Sequence, residues 1–197
     1  MASIDILGKF VPVEFEVGEG AEIEMDRDQI IADAEAMADL IKEKGPWRSE
    51  YADAFRAMNK IVFFEGKVMV NGYQMDRPCC DQDDAVFYWE SSEFNAYRDA
   101  DVHANTYFHD CWHVIQYRAE GYPDQPGEDA EREIDAISHQ VKVATQLGCS
   151  QAEVDHLTRF ANDPQAVQAR LSEGVRFAAS DKPGLAPHKP GLFARQA

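Results

Sequence analysis

Residues 60–70, KIVFFEGKVMV, hold two runs of β-branched, aromatic and other apolar side chains on either side of Glu65-Gly66. Runs of that kind broken by a turn pair predict a β-hairpin. AVFYW at 85–89 is a third strand of the same character, and the polar, proline-containing stretch 75–84 between them is expected to be a loop. Upstream, within residues 1–24, VPVEFEV alternates apolar and acidic residues, which predicts an edge strand with one solvated face. A helix is expected over 26–44. Asp26 can cap it, Ile30, Ala34, Met37, Ala38 and Ile41 recur at helical spacing, and Gly45-Pro46 stops it. A shorter helix follows, with Tyr51, Phe55 and Met58 on one face.

After Ser91 the pattern becomes helical. Helices are predicted over 102–120 and 128–147, the second ending at Gly148. Another starts at Ser150, with Glu153 completing a capping box, and a last one starts at Asp163-Pro164. The fold class is therefore α+β, with a small sheet in the first half packed on a helical second half. Residues 1–180 are expected to form one domain. Residues 181–197, with three prolines and two glycines, should be a loosely held tail.

The chain of 197 residues is long enough to bury roughly 70 per cent of its unfolded surface without disulfide staples. Its 19 Lys and Arg against 36 Asp and Glu give a net charge of −17. Such a surface repels phosphate backbones and anionic lipid heads, which argues against nucleic acid and membrane as partners. Four cysteines at irregular spacing do not make a disulfide framework. With no signal-like start in MASIDILGKF and no apolar run of bilayer length, the expected compartment is the cytoplasm.

The chemistry is concentrated in FHDCWHVIQY at 108–117. His109 and His113 lie four apart, so a helix stacks both imidazoles on one face, as a metal site requires. Asp110 projects beside that face. A Pro/Gly-rich link (Gly121, Pro123, Pro126, Gly127) then allows the next helix, with EREIDAISHQ, to fold back against the first. Glu131 follows His113 by 18 residues, and Asp135 follows Glu131 by four. His109, His113 and Glu131 can supply three ligands and Asp135 the carboxylate behind a ligand histidine. Glu133 is the competing third ligand. It lies near the apolar stripe of Ile134, Ile137, Val141 and Ala144, but has Ile137 where Glu131 has Asp135, so Glu131 is favoured.

HDCWHVIQY followed by EREIDAIS resembles the gluzincin metallopeptidases, whose pattern is HExxH with a downstream ExxxD on the next helix. The resemblance covers roughly residues 105–145. It implies a zincin-like fold, one zinc ion per chain held by His109, His113 and Glu131, Asp135 behind them, and a sheet edge, here 60–70 or 85–89, offered to a peptide or protein substrate. The sequence departs from the pattern at the general base, where Asp110 replaces glutamate. One methylene draws the carboxylate back by roughly 1–1.5 Å, and misplacement on that scale can cost about 10²-fold in rate. The leading expectation is a zinc-dependent, peptidase-like hydrolase with Asp110 activating the attacking water. The alternatives are a catalytically weak or inactive metal-binding module and an HD-type phosphohydrolase, the latter resting on the His109-Asp110 pair.

The remaining polar residues have plainer readings. Cys111 and Trp112 pack the motif helix, and Cys79-Cys80 are free thiols in a polar loop. His139, His156 and the tyrosines at 107, 117 and 122 are alternative transition-state donors, with a solvated or packing role preferred. Asp81, Asp83 and Asp84 read as a solvated loop without the pattern of an EF-hand.

Overall fold

The computed structural model describes residues 2–21, 25–70, 73–75, 78–96, 99–121, 128–169 and 171. The predicted tail 181–197 and most of the link before the second motif helix lie outside them. The N-terminal alternation belongs to a hairpin. β1 (Ala2–Ile6) and β2 (Lys9–Val17) pair antiparallel around Leu7-Gly8. Both turn residues have positive φ, 52° and 84°, as a tight two-residue turn requires, and glycine adopts this without a Cβ clash. α1 (Arg27–Glu43) is capped by the Asp26 side chain, which accepts from the Gln29 N–H at 3.1 Å. Its predicted stripe, from Ile30 to Ile41, is buried. α2 (Ser49–Phe55) buries Tyr51 and Phe55, and Met58 is buried just beyond its end.

Five further strands follow: β3 (Lys60–Glu65), β4 (Val68–Val70), β5 (Tyr73–Met75), β6 (Cys79–Asp81) and β7 (Val86–Glu90). The main sheet runs β1-β2-β3-β7-β6. β2, β3 and β7 are mutually parallel, and an antiparallel strand closes each edge. The expected hairpin within 60–70 does not form. β2 and β7 occupy both sides of β3, whose side chains from Ile61 to Glu65 are all buried, as befits a central parallel strand. With no free edge beside it, the chain turns away at Gly66 and β4 pairs with β5 in a separate ribbon. Gly66 has φ +78°, and a Cβ there would meet Glu19 O and Ala21 N at 2.8 Å.

Two other expectations are corrected. VPVEFEV is an interior strand, because β1 folds back over its outer side and becomes the edge. The stretch 75–84 is not all loop. Cys79 and Cys80 are small and apolar enough to bury against Tyr88 and Phe87 and form the opposite edge strand. Asp81 ends that strand, and its Oδ1 accepts from the Asp83 and Asp84 N–H groups, which makes the acidic cluster a turn.

The helical half is α3 (Ser91–Ala96), α4 (Ala100–Glu120), α5 (Glu128–Leu147) and α6 (Gln151–Ala161), followed by a helical segment at 164–169. Ser150 Oγ caps α6 by accepting from the Glu153 N–H, and Asp163 Oδ1 accepts from the Ala166 N–H. α4 lies against the sheet with α1 and α2, and a single core runs from Ile4 in β1 to Leu147 in α5. The other sheet face is covered by β4 and β5, through Val68, Val70 and Met75 against Phe64 and Tyr88. The architecture is α+β. Among the described residues no helix is long and apolar enough to cross a membrane.

Candidate metal centre

α4 is buried on nearly every side, so its polar residues must find partners inside the protein. His109 and His113 do so against α5. Their Nε2 atoms lie 2.9 Å apart, with Glu133 Oε1 3.5 Å from the first and Glu133 Oε2 3.1 Å from the second. A tetrahedral ion bound at ~2.0–2.1 Å separates its ligand atoms by ~3.3 Å, so the spacing suits one cation. Two lone-pair nitrogens and a carboxylate this close repel unless positive charge lies among them. In the protein alone that charge is a proton. Burial pulls the His113 imidazole down, but hydrogen bonding to Glu133 and its charge outweigh this, and the net shift is upward. Burial pushes Glu133 up, yet the adjacent histidines hold it well below the usual carboxylate range. This buried His/His/Glu group could hold a metal ion, and among the described residues no fourth His, Cys, Asp or Glu joins it.

Gln116 fixes the ring of His113. Its Nε2 donates both to Arg132 O and to Asp135 Oδ2, each at 2.9 Å. Its Oε1 therefore faces His113 Nδ1, at 2.8 Å, and accepts from the N–H there. With that proton on Nδ1, neutral His113 presents the Nε2 lone pair to the centre, as a ligand must. Asp135 also accepts from Trp112 Nε1 at 2.8 Å. It thus stands behind His113 at one remove, through Gln116, and does not receive the imidazole proton directly.

The third ligand is where the sequence reading needs correcting. Glu131 is exposed, and Glu133 takes the place assigned to it. Helical phase explains this. Glu133 is in register with Ala136, Ile137 and Gln140, which are buried, whereas Glu131 and Asp135 turn towards solvent. An acid in phase with a buried stripe was the available signal. Gln116 was missed because amides carry no distinctive spacing.

Asp110 stands beside the group, not in it. It is buried, its Oδ1 has no hydrogen-bond partner, and its carboxyl is pushed up to about 7. Burial is the main cause, opposed by His113 and reinforced by the charges of Glu133 and Glu93.

No protein-family model, curated protein or solved structure matches this chain.

The remaining candidates lie away from the centre. His139 stacks on Trp112 at 4.0 Å, with Nδ1 3.1 Å from Tyr51 Oη and Nε2 3.4 Å from Asp135. His156 is exposed on α6. Buried His103 stacks on Phe94, and its Nε2 donates to Phe94 O at 2.9 Å, so it brings no further ligand to the His109-Asp110 pair. Tyr107 donates to Phe55 O, Tyr117 donates to Asp83, and Tyr122 lies outside the described residues. Cys79, Cys80 and Cys111 are buried free thiols, and burial holds all three above the ordinary cysteine range.

Proposed function

We propose that this protein is a metal-dependent hydrolase, most naturally zinc-dependent, acting on peptide-like bonds. The observation that carries the reading is the convergence of His109, His113 and Glu133 beside a buried carboxyl, Asp110, whose Oδ1 has no hydrogen-bond partner. Two imidazoles and a carboxylate suit Zn²⁺, which when bound supplies Lewis-acid polarisation and a more acidic water. The protein's own part is positional and acid–base. His109, His113 and Glu133 hold the cation, and Gln116 keeps the His113 lone pair aimed at it. Asp110, at its unpartnered Oδ1, accepts the proton of the attacking water. The edge strand β6 lies against α4 and offers its outer edge to an extended chain.

The test is turnover of a quenched-fluorescent peptide library by the zinc-loaded protein. Asp110→Asn should lower kcat by about 10²–10⁴-fold with zinc content unchanged. A zinc-loaded protein that cleaves nothing would refute the hydrolase reading.

A second reading is a closed structural metal site in a binding module. Burial favours it, since His109 is 0 %, Glu133 5 % and His113 9 % exposed, whereas catalytic zinc keeps an accessible position. On that reading zinc raises the unfolding temperature, and neither Asp110→Asn nor Asp110→Glu changes any reaction rate.

A further inference from the structure

Asp135 lies at the exposed rim between α4 and α5, where a carboxylate can be satisfied by water alone. Yet it faces three protein donors. Its Oδ2 accepts from Trp112 Nε1 at 2.8 Å and from Gln116 Nε2 at 2.9 Å, and His139 Nε2 stands 3.4 Å from its Oδ1. His139 follows Asp135 by one turn on the same face of α5. Its ring stacks on Trp112, and its Nδ1 is 3.1 Å from Tyr51 Oη on α2. A continuous line of side chains thus joins Tyr51, through His139, Asp135 and Gln116, to the ligand His113.

The line has one consistent set of protons. An imidazole lone pair 3.4 Å from a carboxylate oxygen repels it, whereas an N–H attracts it. Burial pulls the His139 imidazole below its ordinary range, against the opposing charge of Asp135, so the ring is neutral at pH 7. Neutral His139 therefore carries its proton on Nε2, and its Nδ1 lone pair accepts from the Tyr51 O–H. Beyond Asp135, Gln116 donates to the carboxylate and to Arg132 O, which turns its Oε1 to the His113 Nδ1–H. Of the five residues Asp135 is the most exposed, so it is the one that water can draw away.

We propose that His139 is a positioning residue for the metal centre: with its tautomer set by Tyr51, its Nε2–H keeps the Asp135 carboxylate on Gln116, and Gln116 keeps the His113 lone pair on the ion. This inference rests on the metal-site reading above.

The experiment separates the donor of His139 from its ring. His139→Phe keeps a ring to stack on Trp112 and loses the N–H. His139→Gln keeps an N–H near the Nε2 position and loses the stack. Zinc affinity is measured by competition with a chromophoric chelator, and thermal unfolding on the metal-free proteins. His139→Phe should weaken zinc binding by about 3–10-fold, below the loss expected for a partner that touches a ligand directly. His139→Gln should bind zinc like wild type, yet its metal-free form should unfold at a lower temperature than that of His139→Phe. The two readouts thus rank the variants in opposite order. Because the route runs through Gln116, His139→Phe should cost no further affinity in a Gln116→Leu background. Wild-type affinity in the phenylalanine variant overturns the proposal. So does the same ranking by both readouts, which would make packing the whole role of the ring, and so does an undiminished effect in the Gln116→Leu background. Should the variants not fold, nitrogen NMR of the zinc-loaded wild type decides. A His139 proton on Nε2 supports the assignment, and one on Nδ1 sinks it. A wild type that binds no zinc defeats the metal reading and this inference with it, an outcome distinct from unchanged affinity in a variant.

Discussion

α5 faces two neighbours, and only one of the two seams it makes holds a buried polar layer. Towards α6 and the segment after it, Ala130, Ile137 and Ala144 meet Leu157, Val167 and Leu171. Towards α4 it offers Glu133 and Gln140 to Asn105, His109, His113 and Gln116, all of them buried. The first seam stabilises simply by removing apolar surface from water. The second carries a desolvation cost that apolar residues of similar volume would avoid. On that side α5 also packs Ala136, Val143 and Leu147 into the main core, so the polar layer is embedded in an apolar seam and its cost is confined to the residues around Glu133 and Gln140.

Substitutions on each seam sharpen the contrast. The largest effect is expected from His113→Ala, which should abolish zinc binding measured by elemental analysis of the purified protein. A variant that retains zinc as tightly as the parent would remove His113 from the ligand set. Next comes Ile137→Ala in the apolar seam. It should cost about 2–4 kcal/mol in chemical denaturation, as deletion of a buried aliphatic side chain does, and leave zinc affinity unchanged. If it weakened zinc binding as much as it weakened the fold, the two seams would not be separable. The smallest effect should come from Glu131→Ala. Its exposed side chain predicts a stability change within about 0.5 kcal/mol and no change in zinc content, and loss of zinc would return the third ligand to Glu131.

What the sequence disclosed follows the range of the interactions. The stripe of α1, the cap at Asp26, the capping box at Ser150 and the His109/His113 pair all depend on residues within one or two turns, and each is where local periodicity placed it. The partners of β3 were hidden, because Ile61 pairs with Val13 and Phe87, and nothing local distinguishes that from a hairpin with Val68. Cys79-Cys80 looked like loop because a three-residue strand has too little pattern to detect. Glu131 attracted the ligand role through Asp135 at i+4, yet Asp135 serves Trp112 and Gln116 from the exposed rim of the α4–α5 seam. Counting phase from the buried residues, instead of matching a motif, selects Glu133.

The antiparallel return of α5 along α4 also bears on how the molecule assembles. The ligand group links residues 113 and 133, while the sheet must bring residue 13 to residue 61 before its register exists. Closing the shorter loop costs less chain entropy, and contacts between neighbours in sequence are reached sooner than distant strand pairings. A cation held by His109, His113 and Glu133 would therefore tie together a part of the chain whose ends are easier to join than those of the parallel strands. The parallel strands, slower to find each other, would then have a pinned pair of helices to dock against.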